Sequence, residues 1–196
     1  MISDKQYYLD IFKVGDTDLQ KLTETALSHG GDYCDLYFEN TMNQTHQLID
    51  GEVSSGGLNI DYGVGIRVFC GEKTGYAYSE STTWKDMESA AIAASAISQG
   101  TAVTPRDTRS IGATYTAQKN NGDRLVRRLY PGRPNPAADR YPILNDWRQE
   151  SPSVAVEFLG KLETAIKSRD SRITSVICAL SSQTSDYLMY NSFGEM

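Results

Sequence analysis

Histidine is almost missing from this chain of 196 residues: His29 and His46 are the only two. Neither has a histidine partner at four- or five-residue spacing. A zinc ion needs at least three converging His, Cys or carboxylate ligands, so no metal site and no catalytic residue is assigned here. Cysteine is scarce as well. Cys34, Cys70 and Cys178 make an odd, widely spaced set, which is a poor disulfide framework and fits a reducing compartment. Each sits among apolar neighbours in a stretch that reads as a strand, so all three are expected to be structural thiols. No apolar run approaches the roughly 18 residues of a membrane span. The opening MISDKQYYLDIF has acidic residues where a signal peptide wants basic ones, and no apolar h-region follows. The expectation is a cytoplasmic protein without membrane contact. Positive charge is in deficit too: 19 Lys and Arg stand against 25 Asp and Glu, for a net charge of −6. Such an acidic body argues against a nucleic-acid partner, because phosphate binding draws on clustered Lys and Arg.

The charge and the prolines are unevenly spread. Residues 101–150 hold nine Lys and Arg against five Asp and Glu, and five of the six prolines. No periodicity is sustained there, so this stretch is expected to be an irregular wrapping or linking segment. Its arginines either pair with the acidic body or offer a docking surface to an acidic partner. The chain as a whole has 39% hydrophobic and 22% charged residues, ordinary for one globular domain.

Periodicity supplies the elements. Thr17 to Gln20 resembles a capping box, with Leu19, Leu22, Ala26 and Leu27 on one helical face and Gly30-Gly31 as the stop. His29 falls in the last turn, where it would interact with the helix dipole. Residues 32–40 alternate as a strand, with Cys34, Leu36 and Phe38 on the apolar side. A second strand over 45–49, with His46 expected to be exposed, ends at the turn pair Asp50-Gly51. Ser81-Thr82-Thr83 caps another helix, whose stripe is Trp84, Met87, Ala90, Ala91, Ala94 and Ile97, ended by Gly100. Ser151-Pro152 opens a third helix with Ala155, Phe158, Leu159, Leu162 and Ile166 inward. Residues 173–180 and 187–191 read as a closing hairpin around 181–186. A short echo between 22–27 and 162–166 suggests two related helix–hairpin units. The fold expected is α+β: a mainly antiparallel sheet of about six strands with about three helices packed on one face.

The densest signal is Asn59 to Glu80, NIDYGVGIRVFCGEKTGYAYSE. Val64, Ile66, Val68 and Cys70 alternate with Gly65, Arg67 and Phe69, and the extended pattern resumes at Gly75 to Tyr78 after a turn bracketed by Gly71 and Gly75. Gly63 and Gly65 are not a phosphate loop, because a strand and not a helix follows them. This stretch, together with Asp32-Tyr33-x-Asp35-Leu36-Tyr37-Phe38 and Asp50-Gly51, resembles the N-terminal domain of the TldD/PmbA family of zinc metallopeptidases, also called modulators of DNA gyrase, and its TldD branch more than its PmbA branch.

Several expectations follow from that resemblance. Residues 1–196 would be one N-terminal-type domain, in three stretches: 1–100, the irregular 101–150, and 151–196. The catalytic C-terminal domain, with its HExxxH helix and zinc, would be absent, so no cofactor is expected in this chain and the chain would be inactive alone. The parent protein would cleave extended or unfolded peptides, and this part would contribute to cavity shape and subunit contacts, in a homodimer or with a PmbA-like partner. The alternative is a free-standing protein-interaction module without peptidase activity. Asp61, Gly63, Gly65, Arg67, Gly71, Glu72, Lys73, Gly75 and Tyr76 are the candidate interface or structural signature. For Arg67, Glu72 and Lys73 two roles stand open: ion pairs within the hairpin, or contacts to the catalytic half or a partner subunit.

Overall fold

The computed structural model describes residues 5–98 and 146–196. Four α-helices and four strands follow in the order α1 (Lys5–Phe12), α2 (Asp16–Leu27), β1 (Tyr33–Ile49), β2 (Glu52–Cys70), β3 (Lys73–Ser79), α3 (Trp84–Ser98), a single 3-10 turn (Trp147–Gln149), α4 (Pro152–Lys167) and β4 (Ile177–Asn191). The strands form one antiparallel sheet in the order β3-β2-β1-β4. The class is α+β as expected, but the described residues form four long strands, not about six.

The excess came from breaks that do not exist. Residues 40–44 and 181–186 are rich in Asn, Ser, Thr and Gln, which resembles loop composition. They contain no Gly, Pro or Asn-Gly pair to force a reversal. They therefore stay extended, so β1 runs 17 residues and β4 runs 15 as a single strand. The expected closing hairpin, and with it the echo between two helix–hairpin units, is not there. The one sharp reversal in this region is Asp50-Gly51, where φ is +52° and +86°. Positive φ at both central residues suits the right-handed twist of a tight hairpin, and glycine tolerates it without strain.

Helix α1 was not anticipated. Its C-terminus lacks the usual glycine: Lys13 takes the left-handed conformation at φ +54°, while Lys13 N–H donates to Asp10 O at 3.3 Å and Val14 N–H to Leu9 O at 3.1 Å. That bond pair is a Schellman cap closed by buried Val14. The start of α2 also differs from expectation. Gly15, not Thr17, is the N-cap, and its N–H donates to the Asp18 carboxylate at 2.9 Å. The chain reverses at Lys13 and restarts at once, which moves the cap two residues earlier.

The chain divides into two compact units, whose described parts are 5–40, 62–98 and 186–196 in the first and 41–61 and 146–185 in the second. In the first unit, Leu9, Phe12, Leu19, Leu22, Ala26, Met87, Ala91 and Ala94 of α1, α2 and α3 share a core with Leu36, Phe38, Val64, Ile66, Val68 and Leu188. These strand residues are the even-numbered ones, so the helices cover the even face of the sheet. Trp84 is exposed instead of joining the α3 stripe, and Ser95 and Ser98 are buried in it. Ser98 Oγ satisfies itself on Ser95 O at 2.7 Å. Small residues here let the α3 backbone lie against β3.

In the second unit, Leu48, Leu159, Val176 and Cys178 form the core, flanked by Val156, Ile166 and Ile173. Ser151 and Pro152 take the N-cap and N1 places of α4 as read. The stripe is turned by one residue, about 100°: Leu159 and Glu163 face inward, while Phe158 is 54% exposed and Leu162 40% exposed. Glu163 displaces its apolar neighbour because it has specific partners. One carboxylate oxygen accepts from Gly51 N–H at 2.7 Å and the other meets Lys167 Nζ at 2.7 Å.

That contact belongs to a cluster holding the β1–β2 turn. Asp50 accepts from Val176 N–H at 3.0 Å and from Ser175 Oγ at 2.8 Å, and lies 3.0 Å from Lys167 Nζ. These bonds, the Val176 N–H first, lower the Asp50 pKa from 3.8 to about 2. A carboxyl depressed in the folded state stabilises it fully above its unfolded pKa and loses that contribution as pH falls through the folded value. The urea midpoint is therefore expected to fall between pH 4 and pH 2 more steeply in the parent chain than in Asp50→Asn, and equal slopes would refute the assignment.

Candidate interface on the outer sheet face

The β2–β3 hairpin pairs Val64 with Ser79 through Cys70 with Lys73, so Arg67 lies opposite Tyr76 and Gly65 opposite Tyr78. Two glycines are fixed by close approach. A Cβ at Gly75 would overlap Ala94 O and approach Ser98 N to 2.7 Å, because the α3 backbone lies directly on the strand. A Cβ at Gly63 would overlap Ser79 O, where β2 and β3 come together. Gly65 carries the Tyr76 ring, whose Oη would lie 2.5 Å from an added Cβ. Gly71 takes φ +58° at the turn and donates to Asp32 Oδ2 at 2.6 Å.

The odd-numbered residues of β1, β2 and β4, and Tyr76 and Tyr78 of β3, face away from the helices. At their centre Arg67 and Asp35 form a bidentate pair: Arg67 Nε donates to the carboxylate at 3.0 and 3.2 Å, and Arg67 Nη2 bonds Asp35 Oδ2. The two exposures differ, 47% for the Arg67 side chain and 13% for Asp35. The guanidinium also lies over the Phe69 ring, 5.2 Å from its centre. Of the two roles open for Arg67, the internal ion pair is formed, though across β1–β2 and not within the hairpin.

Aromatic rings surround the pair. Tyr33 packs on Phe69 at 5.9 Å and on Phe193 at 5.6 Å, and Tyr37 stacks on Tyr187 at 5.6 Å. Desolvation, then Glu39 and Tyr187, raises the Tyr37 phenol to about 12, so it remains protonated. Beneath the face, burial first and Asp35 second push the Cys34 thiol up to about 12. It is an unreactive core thiol.

Of the nine signature residues, Gly63, Gly65, Arg67, Gly75 and Tyr76 come together on this hairpin, with Gly71 at its turn. Asp61 is exposed in the second unit and accepts from Asn59 Nδ2 at 3.2 Å. Glu72 and Lys73 are exposed at the turn. Sequence reasoning left out Asp35, Phe69 and Tyr187. Their signal was the odd-position run Tyr33, Asp35, Tyr37, aromatic on a face that should have been polar.

The histidines differ from expectation. His29 lies beyond the end of α2, with Nδ1 3.1 Å from Ser95 Oγ, so it ties the loop to α3. His46 is buried, and its Nε2 has no hydrogen-bond partner among the described residues. No group of three or more His, Cys, Asp and Glu among the described residues is placed to hold a metal. No helix among the described residues is long and apolar enough to cross a membrane. The arginines Arg124, Arg127, Arg128, Arg133 and Arg140, for which pairing with the acidic body and docking to a partner both stood open, lie outside the described residues.

A sheet with helices on one face and an aromatic hairpin on the other defines the class of domain, and comparison with known proteins specifies it. Residues 34–98 match the family model described as PmbA/TldA metallopeptidase domain 1. A protein of Haemophilus influenzae described as a metalloprotease TldD homolog is 27% identical over 168 residues, 84% of this chain and 30% of its own length. A protein of the same description from Buchnera aphidicola of Acyrthosiphon pisum is 26% identical over 123 residues, 63% of this chain and 24% of its own. Among solved structures, TldE of Thermococcus kodakarensis shares the fold at a TM-score of 0.56 and 15% identity, over 90% of this chain and 35% of that one. A Bacteroides thetaiotaomicron protein described as a candidate modulator of DNA gyrase does so at 0.59 and 14%, over 99% and 38%. These likenesses support the N-terminal domain of the TldD/PmbA family, and the family model covers a third of the chain. The chain spans under a third of the length of these curated relatives.

Proposed function

We propose that this chain is the non-catalytic N-terminal part of a TldD-like zinc metallopeptidase that acts on extended or unfolded peptides. Its role is to shape the substrate cavity and make subunit contacts, with a second copy or a PmbA-like partner. Zinc and the HExxxH helix belong to the remainder of such a protein, and a cytoplasmic location goes with this reading. The observation that carries it is the match of residues 34–98 to the first metallopeptidase domain, with no group of three or more metal donors among the described residues.

Two measurements test it. The reading frame beyond Met196 is expected to continue into a segment with HExxxH; a stop codon directly after Met196 would favour the second reading, a free-standing interaction module. That reading is favoured by the exposed aromatic face. The isolated 196-residue chain, dialysed and analysed for metal, is expected to hold no stoichiometric zinc and to leave unfolded casein uncut. One tightly bound zinc per chain would overturn the division of labour, because it would require a ligand set formed by this part alone.

A further inference from the structure

The tight turn between β1 and β2 holds the groups for a covalent rearrangement of the backbone. In Asp50-Gly51 the aspartyl side chain can cyclise onto the following nitrogen, and glycine has no Cβ to hinder the approach. Gly51 N would attack Asp50 Cγ. A C–N bond forms, the C–O bond of the neutral carboxyl breaks, and its hydroxyl leaves with the amide proton as water. Water then opens the five-membered succinimide at either carbonyl. One opening returns aspartate; the other gives isoaspartate, whose backbone runs through the side chain and is one methylene longer.

Burial does not prevent this here. Asp50 and Gly51 are both exposed, and nothing lies within 4 Å of the place a Cβ would take on Gly51. Hydrogen bonds hold the reacting groups instead. Gly51 N–H donates to Glu163 Oε2 at 2.7 Å. Asp50 Oδ1 accepts from Val176 N–H at 3.0 Å and lies 3.0 Å from Lys167 Nζ, while Oδ2 accepts from Ser175 Oγ at 2.8 Å. Whichever oxygen leaves must first give up its donor, and the nitrogen must give up Glu163.

Charge acts in the same direction. The attacking nitrogen has to shed its proton, and a carboxylate beside it opposes a second negative charge. The carboxyl has to be neutral to release water, and its donors keep it anionic. Carboxylates are far too weak as bases to take an amide proton, so Glu163 restrains the nitrogen and does not activate it. Glu163 is also a fixed acceptor: it is buried, and Lys167 Nζ holds its other oxygen at 2.7 Å.

We propose that Asp50-Gly51 is a latent isoaspartate site, held closed in the folded chain by Glu163 on the nitrogen and by Lys167, Ser175 and Val176 on the carboxylate. Conversion would insert a methylene into the turn and break the fit of β1 to β2 next to it.

The test is ageing of the 196-residue chain at neutral pH and physiological temperature for several weeks. Isoaspartate is counted by methyl transfer from S-adenosylmethionine with an isoaspartyl methyltransferase, and located by fragmentation mass spectrometry. The folded parent should convert about tenfold or more slowly than the same chain unfolded in guanidinium chloride, since at least two hydrogen bonds must open first. Glu163→Ala should raise the folded-state rate about fivefold, and Ser175→Ala about twofold, the scale of losing one such bond. Unfolded, both variants should convert at the parent's rate, because the bonds they remove exist only in the folded chain. Leu159→Ala, which truncates the core of the same unit, separates this effect from lost stability. It should convert no faster than its unfolded fraction supplies, whereas Glu163→Ala should exceed that limit.

A folded parent that converts as fast as the unfolded chain overturns the proposal. So does isoaspartate that accumulates at another position, or a Glu163→Ala rate that its unfolded fraction accounts for. A rate below the parent's overturns it as well, since Glu163 would then be the base that promotes closure. If Glu163→Ala does not fold, Ser175→Ala, at an exposed position, decides by the same comparison.

Discussion

Gly75→Val should be the most damaging single substitution in this chain, destabilising it by about 3 kcal/mol, at the upper end of the range for overpacking a filled core. The reason is what a side chain would meet. A Cβ at Gly75 overlaps the α3 backbone at Ala94 O and crowds Ser98 N. A flexible side chain can swing aside; a helix backbone bonded along its length cannot. The helix would have to lift from β3, opening the contacts of buried Ala90, Ala91 and Ala94. Urea unfolding followed by circular dichroism measures this directly. Gly160→Ala is the internal comparison: nothing lies within 4 Å of that position, on the interior of α4. It should gain about 0.5–1 kcal/mol from helix propensity alone. A Gly75→Val chain as stable as the parent would mean that α3 does not rest on β3 as described.

The Arg67–Asp35 pair carries the second large expectation, and the asymmetry is its signature. Arg67→Ala leaves the Asp35 carboxylate, 13% exposed, without its bidentate donor. Removing one member of a fully buried pair costs about 3–5 kcal/mol; because the Arg67 side chain is 47% exposed, water can partly replace it, and about 2 kcal/mol is expected here. Asp35→Leu should be milder, since the stranded charge is then the exposed one and can reach solvent. The double variant Asp35→Leu, Arg67→Met should recover most of the loss. A double-mutant cycle reads the coupling free of the lost packing on Phe69. Additive effects would show that the two residues are neighbours without being energetic partners.

These two sites also separate what local pattern reveals from what it conceals. Gly75 and Arg67 stood out from the sequence because they lie in one short, glycine-punctuated hairpin with a period of two. Their partners did not. Asp35 is 32 residues away from Arg67, and the α3 carbonyl that makes Gly75 necessary follows a turn and three helical turns later. Spacing along the chain identifies a strand and its faces, but it does not say which strand becomes its neighbour.

The sequence by itself determined the helical stripe of α2, the Met87-Ala90-Ala91-Ala94 part of that of α3, the β2–β3 hairpin with its turn, the tight reversal at Asp50-Gly51 and the α+β class. Each follows from short-range sterics and amphipathic period, which act within a few residues. It also determined that neither histidine has a histidine partner at four- or five-residue spacing. Tertiary structure decided the rest. Polar stretches within β1 and β4 stay extended because neighbouring strands supply their backbone hydrogen bonds. Helix α4 turns by one residue because Glu163 finds Gly51 N–H and Lys167. His46 is buried, although its flanking Thr and Gln read as surface, because packing within its unit and not its neighbours in sequence sets its burial. The aromatic face exists only as a juxtaposition: its residues come from β1, β3, β4 and the chain beyond β4, and only pairing in the order β3-β2-β1-β4 brings them together.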